Sequence, residues 1–275
     1  MRLLQWNIQW CRGMDGRVDP ARIARAAKAL GDPDVCCFQE VAVNYPDLDA
    51  PGDQPALLGQ HLPGYSVHFA AVVDTPDGKG GRKQFGNVIL SRLPVRQVFR
   101  HTLPWPPHAG VPNMPRVAIE AVIEAPWGLV SVVTTHLEYY SDAQRAAQVA
   151  RLCELKAEAL AHSSAPSAGK PKDSGPFTPF ARPADSILTG DFNMRPEDPL
   201  VATLLEHWRD AWPLANPARA QPPTFGVFDK EFASEPYACD FVLVSQDLAP
   251  RVKAARVDSQ AKESDHQPVI VEFRP

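Results

Sequence analysis

Four short segments of this 275-residue chain place chemistry-bearing side chains at the ends of apolar runs. Ser264-Asp265-His266-Gln267-Pro268 leads into the last apolar run, and Thr189-Gly190-Asp191-Phe192-Asn193 closes an earlier one. Trp6-Asn7 closes the run that starts at Leu3, and Gln39-Glu40 closes Val35-Cys36-Cys37-Phe38. A carboxylate, amide or imidazole at the exit of a buried strand sits on rigid backbone and opens into a cleft. Four such exits read as pieces of one site brought together by folding. The site is acidic and rich in oxygen donors, which suits a hard divalent cation such as Mg²⁺ or Mn²⁺.

The elements that must position these residues follow from hydrophobic periodicity. It predicts strands at 3–8, 35–38, 65–73, 86–91, 95–103, 116–124, 129–135, 186–189, 239–245, 252–257 and 268–273. Asp19-Pro20 opens a helix that runs to Leu30, with Asp as N-cap and Pro in the first turn, and a second helix is expected near 54–61. The strongest helix is 141–161, capped by Ser141 and striped by Val149, Leu152, Leu155 and Ala159. Ala125-Pro126-Trp127-Gly128 reads as a hairpin turn. The stretch 163–183, rich in Ser, Pro, Gly and Lys, is expected to be a mobile surface loop in which Lys170 and Lys172 are open to trypsin. Strands outnumber helices, and meanders alternate with helical crossovers, so two packed sheets flanked by helices are expected in one domain spanning 1–275.

Composition limits the partners. A formal charge of -4 offers no global attraction to nucleic acid or anionic lipid, so a polyanion would have to be held by a metal and local basic groups. This weighs against a processive or duplex-coating role. The five cysteines are odd in number and lack metal-site spacing, and adjacent Cys36 and Cys37 in a strand point to opposite faces. Reduced thiols, a cytoplasmic location and no integral membrane association are expected, with the chain acting as a monomer.

Trp6-Asn7, Gln39-Glu40, Thr135-His136-Leu137, Gly190-Asp191-Phe192-Asn193, Cys239-Asp240-Phe241 and Ser264-Asp265-His266 occur in an order and spacing that resembles the endonuclease/exonuclease/phosphatase superfamily, in its compact bacterial-type form. The resemblance spans nearly the whole chain and implies a four-layered αββα sandwich that cleaves phosphate esters with a divalent metal. It implies Glu40 as the principal metal ligand, with Asn7 beside it and Asp265 binding or orienting the metal and its waters. It further implies Asp191 as activator of the attacking water, Asn193 as holder of a phosphate oxygen or that water, and His266 on the phosphoryl group with Asp240 orienting it. His136 matches the position of a second catalytic histidine, able to protonate the leaving group or bind phosphate. Arg116 and the pair Arg145 and Gln148 match recurring positions of support or phosphate contact, and Asn87 belongs to Phe85-Gly86-Asn87, in a strand after which family members often place substrate-facing residues.

Physical chemistry asks for the same parts. Attack on a phosphodiester adds charge to an anionic centre, which a cation must offset. A water nucleophile needs a proton acceptor, and an imidazole held by a carboxylate keeps one tautomer and stabilises charge once protonated. Against this, Asn7 or Asp240 taken alone reads as an ordinary turn or strand-end residue. Lys79, Arg82 and Lys83 read as a solvated loop, and His61, His68, His101, His108, His162 and His207 as surface or core groups. Trp10, Trp105 and Phe228 could stack on a base or headgroup, with packing the ordinary alternative.

The segment Tyr237-Ala238-Cys239-Asp240-Phe241 departs from the inositol 5-phosphatase signature. Gln9 and Met194-Arg195-Pro196-Glu197-Asp198 depart from that of apurinic endonucleases. The leading expectation is a Mg²⁺- or Mn²⁺-dependent phosphodiesterase acting on DNA or RNA. The alternatives are a phosphomonoesterase or sphingomyelinase-like hydrolase of a small ester, and a binding module that kept the fold.

Overall fold

A computed structural model describes residues 1–165, 180–229, 231 and 234–275. Most of the expected loop at 163–183, with Lys170 and Lys172, lies outside the described residues. Along the chain run β1 (Arg2–Asn7), α1 (Pro20–Ala29), β2 (Val35–Tyr45), β3 (Ala50–Asp53), α2 (Gln54–His61), β4 (Ser66–Pro76), β5 (Arg82–Ser91), β6 (Val95–Thr102), β7 (Val117–Ala125) and β8 (Gly128–His136). There follow α3 (Asp142–Ser164), β9 (Ser186–Asp191), α4 (Pro199–Leu205), β10 (Arg209–Asp210), α5 (Ala211–Ala215), β11 (Asp240–Val244), β12 (Val252–Val257) and β13 (Val269–Phe273). No helix among the described residues is long and apolar enough to cross a membrane.

The predicted caps form. Asp19 Oδ1 accepts the Arg22 N–H at 3.0 Å and Ser141 Oγ that of Gln144 at 3.3 Å, each occupying an otherwise unpaired donor of the first helical turn. Asp198-Pro199 repeats the Asp19-Pro20 start signal and opens α4, a helix too short for its periodicity to stand out.

The strands form two sheets, ordered β12-β13-β1-β2-β5-β4, with β3 beside β2, and β10-β11-β9-β8-β7-β6. Each sheet holds one parallel pair near its centre, β1 with β2 and β8 with β9, joined through α1 and α3 respectively. Every other pairing is antiparallel.

Alternation along each strand assigns the layers. On β1 and β2, Leu3, Val35 and Cys37 face a core shared with Val132, Ile187, Val242 and Val271, all buried between the sheets. Their neighbours Leu4, Trp6, Cys36 and Phe38 turn outward onto Ile23, Ala27 and Leu58 of α1 and α2. On the second sheet Leu188, Phe241 and Leu243 turn outward onto Val149 and Leu152 of α3 and Val201 and Leu204 of α4. The result is the expected αββα sandwich, held by three apolar layers in which each buried aliphatic side chain contributes roughly 1.5–3 kcal/mol. Cys36 and Cys37 face opposite layers, and all five cysteines are free.

One element departs from the sequence expectation in a way that matters. The strand predicted to stop at Phe38 runs on to Tyr45, so Glu40 lies within a strand. Between Phe38 and Val41 the register against β5 slips by one residue, and Glu40 takes a left-handed φ of 57°. This β-bulge turns the carboxylate toward the space between the sheets without ending the strand. Arg82 and Lys83, expected in a loop, begin β5 and pair with Asp74 and Asp47.

Candidate active site

Parallel strands share a direction, so the C-terminal ends of β1, β2, β8 and β9 carry their last inward residues to one edge of the sandwich. Each inward row changes character along its length. It passes from Leu3 through Gln5 to Asn7, from Val35 through Cys37 to Gln39, from Val132 through Thr134 to His136, and from Ile187 through Thr189 to Asp191. On antiparallel β11 the row runs backward from Val244 through Val242 to Asp240. Apolar packing therefore gives way to neutral polar groups and, on the second sheet, to ionisable ones.

The neutral layer is a buried network that joins the sheets. Gln39 Nε2 donates to Thr134 Oγ1 at 2.7 Å, Thr189 Oγ1 to Gln5 Oε1 at 3.0 Å, and Gln5 Nε2 to both Gln39 Oε1 and Asp240 Oδ1. Such groups are costly to bury unless paired, and paired they fix the sheets against each other.

Above this layer lies the candidate centre. Asp191, 1% exposed, receives the Asn7 amide on Oδ2 at 3.0 Å, and the same amide donates to Glu40 Oε1 at 3.0 Å. Asn7 Oδ1 accepts the Gln9 N–H at 3.1 Å, which leaves one oxygen lone pair. His136 Nε2 stands 3.4 Å and His266 Nε2 3.6 Å from the same Asp191 Oδ2. His266 Nδ1 is 2.9 Å from Asp240 Oδ2, and its ring lies 4.6 Å from that of Phe225. Thr224 Oγ1 accepts the backbone N–H groups of Cys239 and Asp240 at 3.1 and 3.2 Å and so fixes the carboxylate's origin. The Ser264-Asp265-His266 loop is tied to β1 because Ser264 Oγ lies 2.8 Å from the Asn7 carbonyl and Trp6 Nε1 donates to the His266 carbonyl at 2.9 Å. Asn193, at φ 52°, bonds its own N–H to Asp191 Oδ1 at 3.0 Å and its side-chain amide to the Leu137 carbonyl at 2.8 Å.

The two histidines are held in opposite states. Burial opposes a charge on His266, but the carboxylates of Asp240 and Asp191 outweigh it and keep the imidazolium well above its ordinary range. Burial, with the Arg116 guanidinium nearby, pushes His136 down to about 3 and keeps it neutral. Glu40 is pushed up to about 7, first by burial and then by the facing charge of Asp265, and burial also raises Asp265. Buried carboxylates that resist ionisation fit a site for a hard divalent cation, which Glu40 and Asp265 would bind through oxygen with the remaining Asn7 lone pair beside them. Asp191, Cys239 and His266 also lie close enough to share an ion. However, the Cys239 thiol is held protonated by burial and donates to Asp240, while His266 Nδ1 is engaged by that carboxylate, so a soft-metal site is disfavoured.

All eight residues expected at the centre, Asn7, Glu40, His136, Asp191, Asn193, Asp240, Asp265 and His266, come together. Arg116 lines the same cleft, 6% exposed, with Nε 3.1 Å from Glu138 Oε2. Arg145 and Gln148 support the following loop, Arg145 bonding the Glu138 and Tyr139 carbonyls and Gln148 accepting the Glu138 N–H. Asn87 sits behind His136 and Arg116, where its amide bonds the Val117 carbonyl at 2.9 Å. Sequence reasoning missed Glu138, Thr224, Phe225 and the role of Gln5. Gln5 carried a signal, a glutamine midway along an apolar strand, whereas Thr224 and Phe225 lie in a segment without periodicity.

Comparison with known proteins agrees with this geometry. The sequence profile of the Endonuclease/Exonuclease/phosphatase family matches residues 4–167. Among solved structures, an endonuclease/exonuclease/phosphatase from Beutenbergia cavernae is 25% identical, with a TM-score of 0.71 over 100% of this chain and 71% of its own. The mannosyl-6-phosphatase of Bacteroides thetaiotaomicron superposes with a TM-score of 0.72 at 19% identity over 100% of both chains. A Neisseria 3′ phosphatase bound to a product DNA hairpin does so at 0.64 and 20% over 100% of both. These last two likenesses are of fold alone. A search of curated proteins gave no match. The profile covers more than half of the chain and takes in Asn7, Glu40 and His136, and the fold brings Asp191, Asp240 and His266 onto them from beyond its end. The chain therefore belongs to the Endonuclease/Exonuclease/phosphatase family and is a phosphoester hydrolase.

Proposed function

We propose that this hydrolase is a Mg²⁺- or Mn²⁺-dependent phosphodiesterase that cleaves nucleic-acid phosphodiesters at short or frayed single-stranded ends. The observation that carries the reading is the buried Asp191 carboxylate set between a charged and a neutral histidine, beside an oxygen-donor cluster. A cation bound by Glu40 and Asp265 would offset the charge that builds on the phosphoryl oxygens. Asp191, oriented by Asn7, takes the proton of the attacking water. His266, kept cationic by Asp240, meets a phosphoryl oxygen with an N–H that is already in place. Neutral His136 offers an N–H to the leaving oxygen or to phosphate, and Asn193 closes the opposite side.

The preference for short ends rests on the rim. Beside Asn193 a second cavity, of about 450 Å³, is lined by Glu197, Asp198 and Glu235, with Arg195 stacked 4.4 Å from the Tyr237 ring. Flanking phosphates of a long strand would meet carboxylates there. The same polar cavity favours one alternative, a phosphomonoester of a small polyol, the kind of substrate named for the Bacteroides neighbour. A panel of single-stranded and duplex DNA, RNA and sugar phosphates, run with Mn²⁺ and with EDTA, separates the two. Metal-dependent release of phosphate from sugar phosphates alone would replace the phosphodiesterase reading.

A further inference from the structure

The central cleft, about 280 Å³, has a second set of walls that the hydrolytic steps do not use. Trp10, Phe85, Met114 and Tyr140 line it opposite in character to the ionisable groups. The Trp10 and Phe85 rings lie 6.4 Å apart at 53°, and Tyr140 is 52% exposed. Holding Trp10 at this position is costly to the backbone. Gln9, Trp10 and Cys11 have φ of 43°, 43° and 62°, three successive left-handed residues, each unfavourable for an L-amino acid. Fully buried Gln54 holds the turn by donating to the Trp10 carbonyl at 2.6 Å while accepting the Ala42 N–H at 2.9 Å.

Three of these four walls are aromatic rings or a thioether that can lie flat against a planar group, Trp10, Phe85 and Met114, and Tyr140 adds a fourth face at the exposed rim. A second phosphate is not provided for among the described residues, where no lysine lines the cleft and Glu138 engages the arginine that does. Aromatic walls beside the candidate phosphoryl-binding groups match a planar heterocycle, which stacks on such faces. Resting on the phosphodiesterase reading, we propose that Trp10, Phe85, Met114 and Tyr140 form a nucleobase subsite, which makes the substrate a nucleotidyl ester and Trp10 its specificity-determining residue.

The test uses the Mn²⁺-loaded full chain and three esters with one leaving group: thymidine 5′- and 3′-(p-nitrophenyl phosphate) and methyl p-nitrophenyl phosphate. At least one thymidine ester should exceed the methyl ester in kcat/KM by about tenfold or more. Trp10→Ala should reduce that ratio by about tenfold, chiefly through KM, and Trp10→Phe should keep most of it. Should Trp10→Ala fail to fold, Tyr140→Ala on the exposed rim should also lower the ratio. Hydrolysis of all three esters with a ratio near one, or a ratio unmoved by these variants, would overturn the base subsite and leave the phosphodiesterase reading standing. Metal-independent turnover, or none on any ester, would instead overturn the phosphodiesterase reading.

Discussion

At Asp191 Oδ2 two imidazoles of opposite charge state meet one carboxylate, and each owes its state to its neighbours. In the proposed mechanism His266 and Asp240, 2.9 Å apart, act as one unit, so His266→Ala should lower kcat by at least ~100-fold with little change in ground-state binding. Asp240→Asn should act through the same ring, so the double variant should be hardly slower than His266→Ala alone. Fully additive losses would show two independent roles. Asp191→Asn removes the proposed proton acceptor at nearly constant volume and should be at least as damaging, so near-normal turnover there would refute the mechanism.

Glu40 makes a second residue-scale prediction. Its carboxyl is pushed up to about 7, so protons and the cation compete for it below that pH. Mn²⁺ affinity should weaken about tenfold per pH unit on acidification below 7, and Glu40→Gln should remove that dependence along with most of the affinity. Titrations at several pH values decide this, and a flat profile would remove Glu40 from the ligand set. The sign for stability is the reverse of the usual carboxylate case. With the folded value above the unfolded one, the metal-free fold loses stability as pH rises from about 4.5 toward 7, and added metal should restore it.

Among the elements, β9 shows how the backbone serves the site. A Cβ on Gly190 would lie 2.0 Å from the Thr135 carbonyl oxygen of β8, so the glycine lets the parallel pair close beneath Asp191. Gly190→Ala should cost about 3 kcal/mol or more, read as a fall in Tm of several degrees. An unchanged melt would mean that β8 and β9 separate without penalty. On the outer face of the second sheet, Glu120 is held by His101 at 2.9 Å, Ser131 at 2.8 Å and Arg182 at 3.0 Å, well away from the chemistry. Burial alone would raise this carboxyl, but those partners outweigh it and hold it below the ordinary range. Its contribution is therefore complete above about 4.5 and fades as pH falls through the depressed value. Glu120→Gln should cost about 1–3 kcal/mol at neutral pH, and the gap to the parent should shrink in melts run below pH 4.5.

The same elements mark how far the sequence could be read. Strands and caps were legible because their signals are local: alternation, Asp-Pro and Ser starts, a Pro-Trp-Gly turn. The bulge at Glu40 was not, since a left-handed residue inside an apolar strand leaves no periodic trace. The eight central residues were readable as strand ends and motifs, whereas Glu138 and Phe225 matter only through contacts with Arg116 and His266 that arise in three dimensions.

For the whole molecule, the formal charge of -4 and the carboxylates beside Asn193 predict a shallow salt dependence. On a single-stranded oligonucleotide the slope of log kcat/KM against log salt should be no steeper than about -2, the mark of one or two phosphates engaged. A slope several times steeper would reveal an extended basic track.

The site is also divided between the two sheets. Asn7 and Glu40 belong to the first, while His136, Asp191 and Asp240 belong to the second, and the glutamine-threonine network spans the seam. The oxygen donors and the carboxylate proposed to activate water are thus mounted on separate plates, and their alignment works like a vernier that reads sheet against sheet. A small slip at the seam would move reacting atoms apart while leaving both plates intact, and a shift of 1 Å can cost about 100-fold in rate. Core truncations far below the cleft, such as Val132→Ala, would then register as lost turnover in a protein that still melts cooperatively. Catalysis in this fold doubles as a gauge of how its two halves are seated.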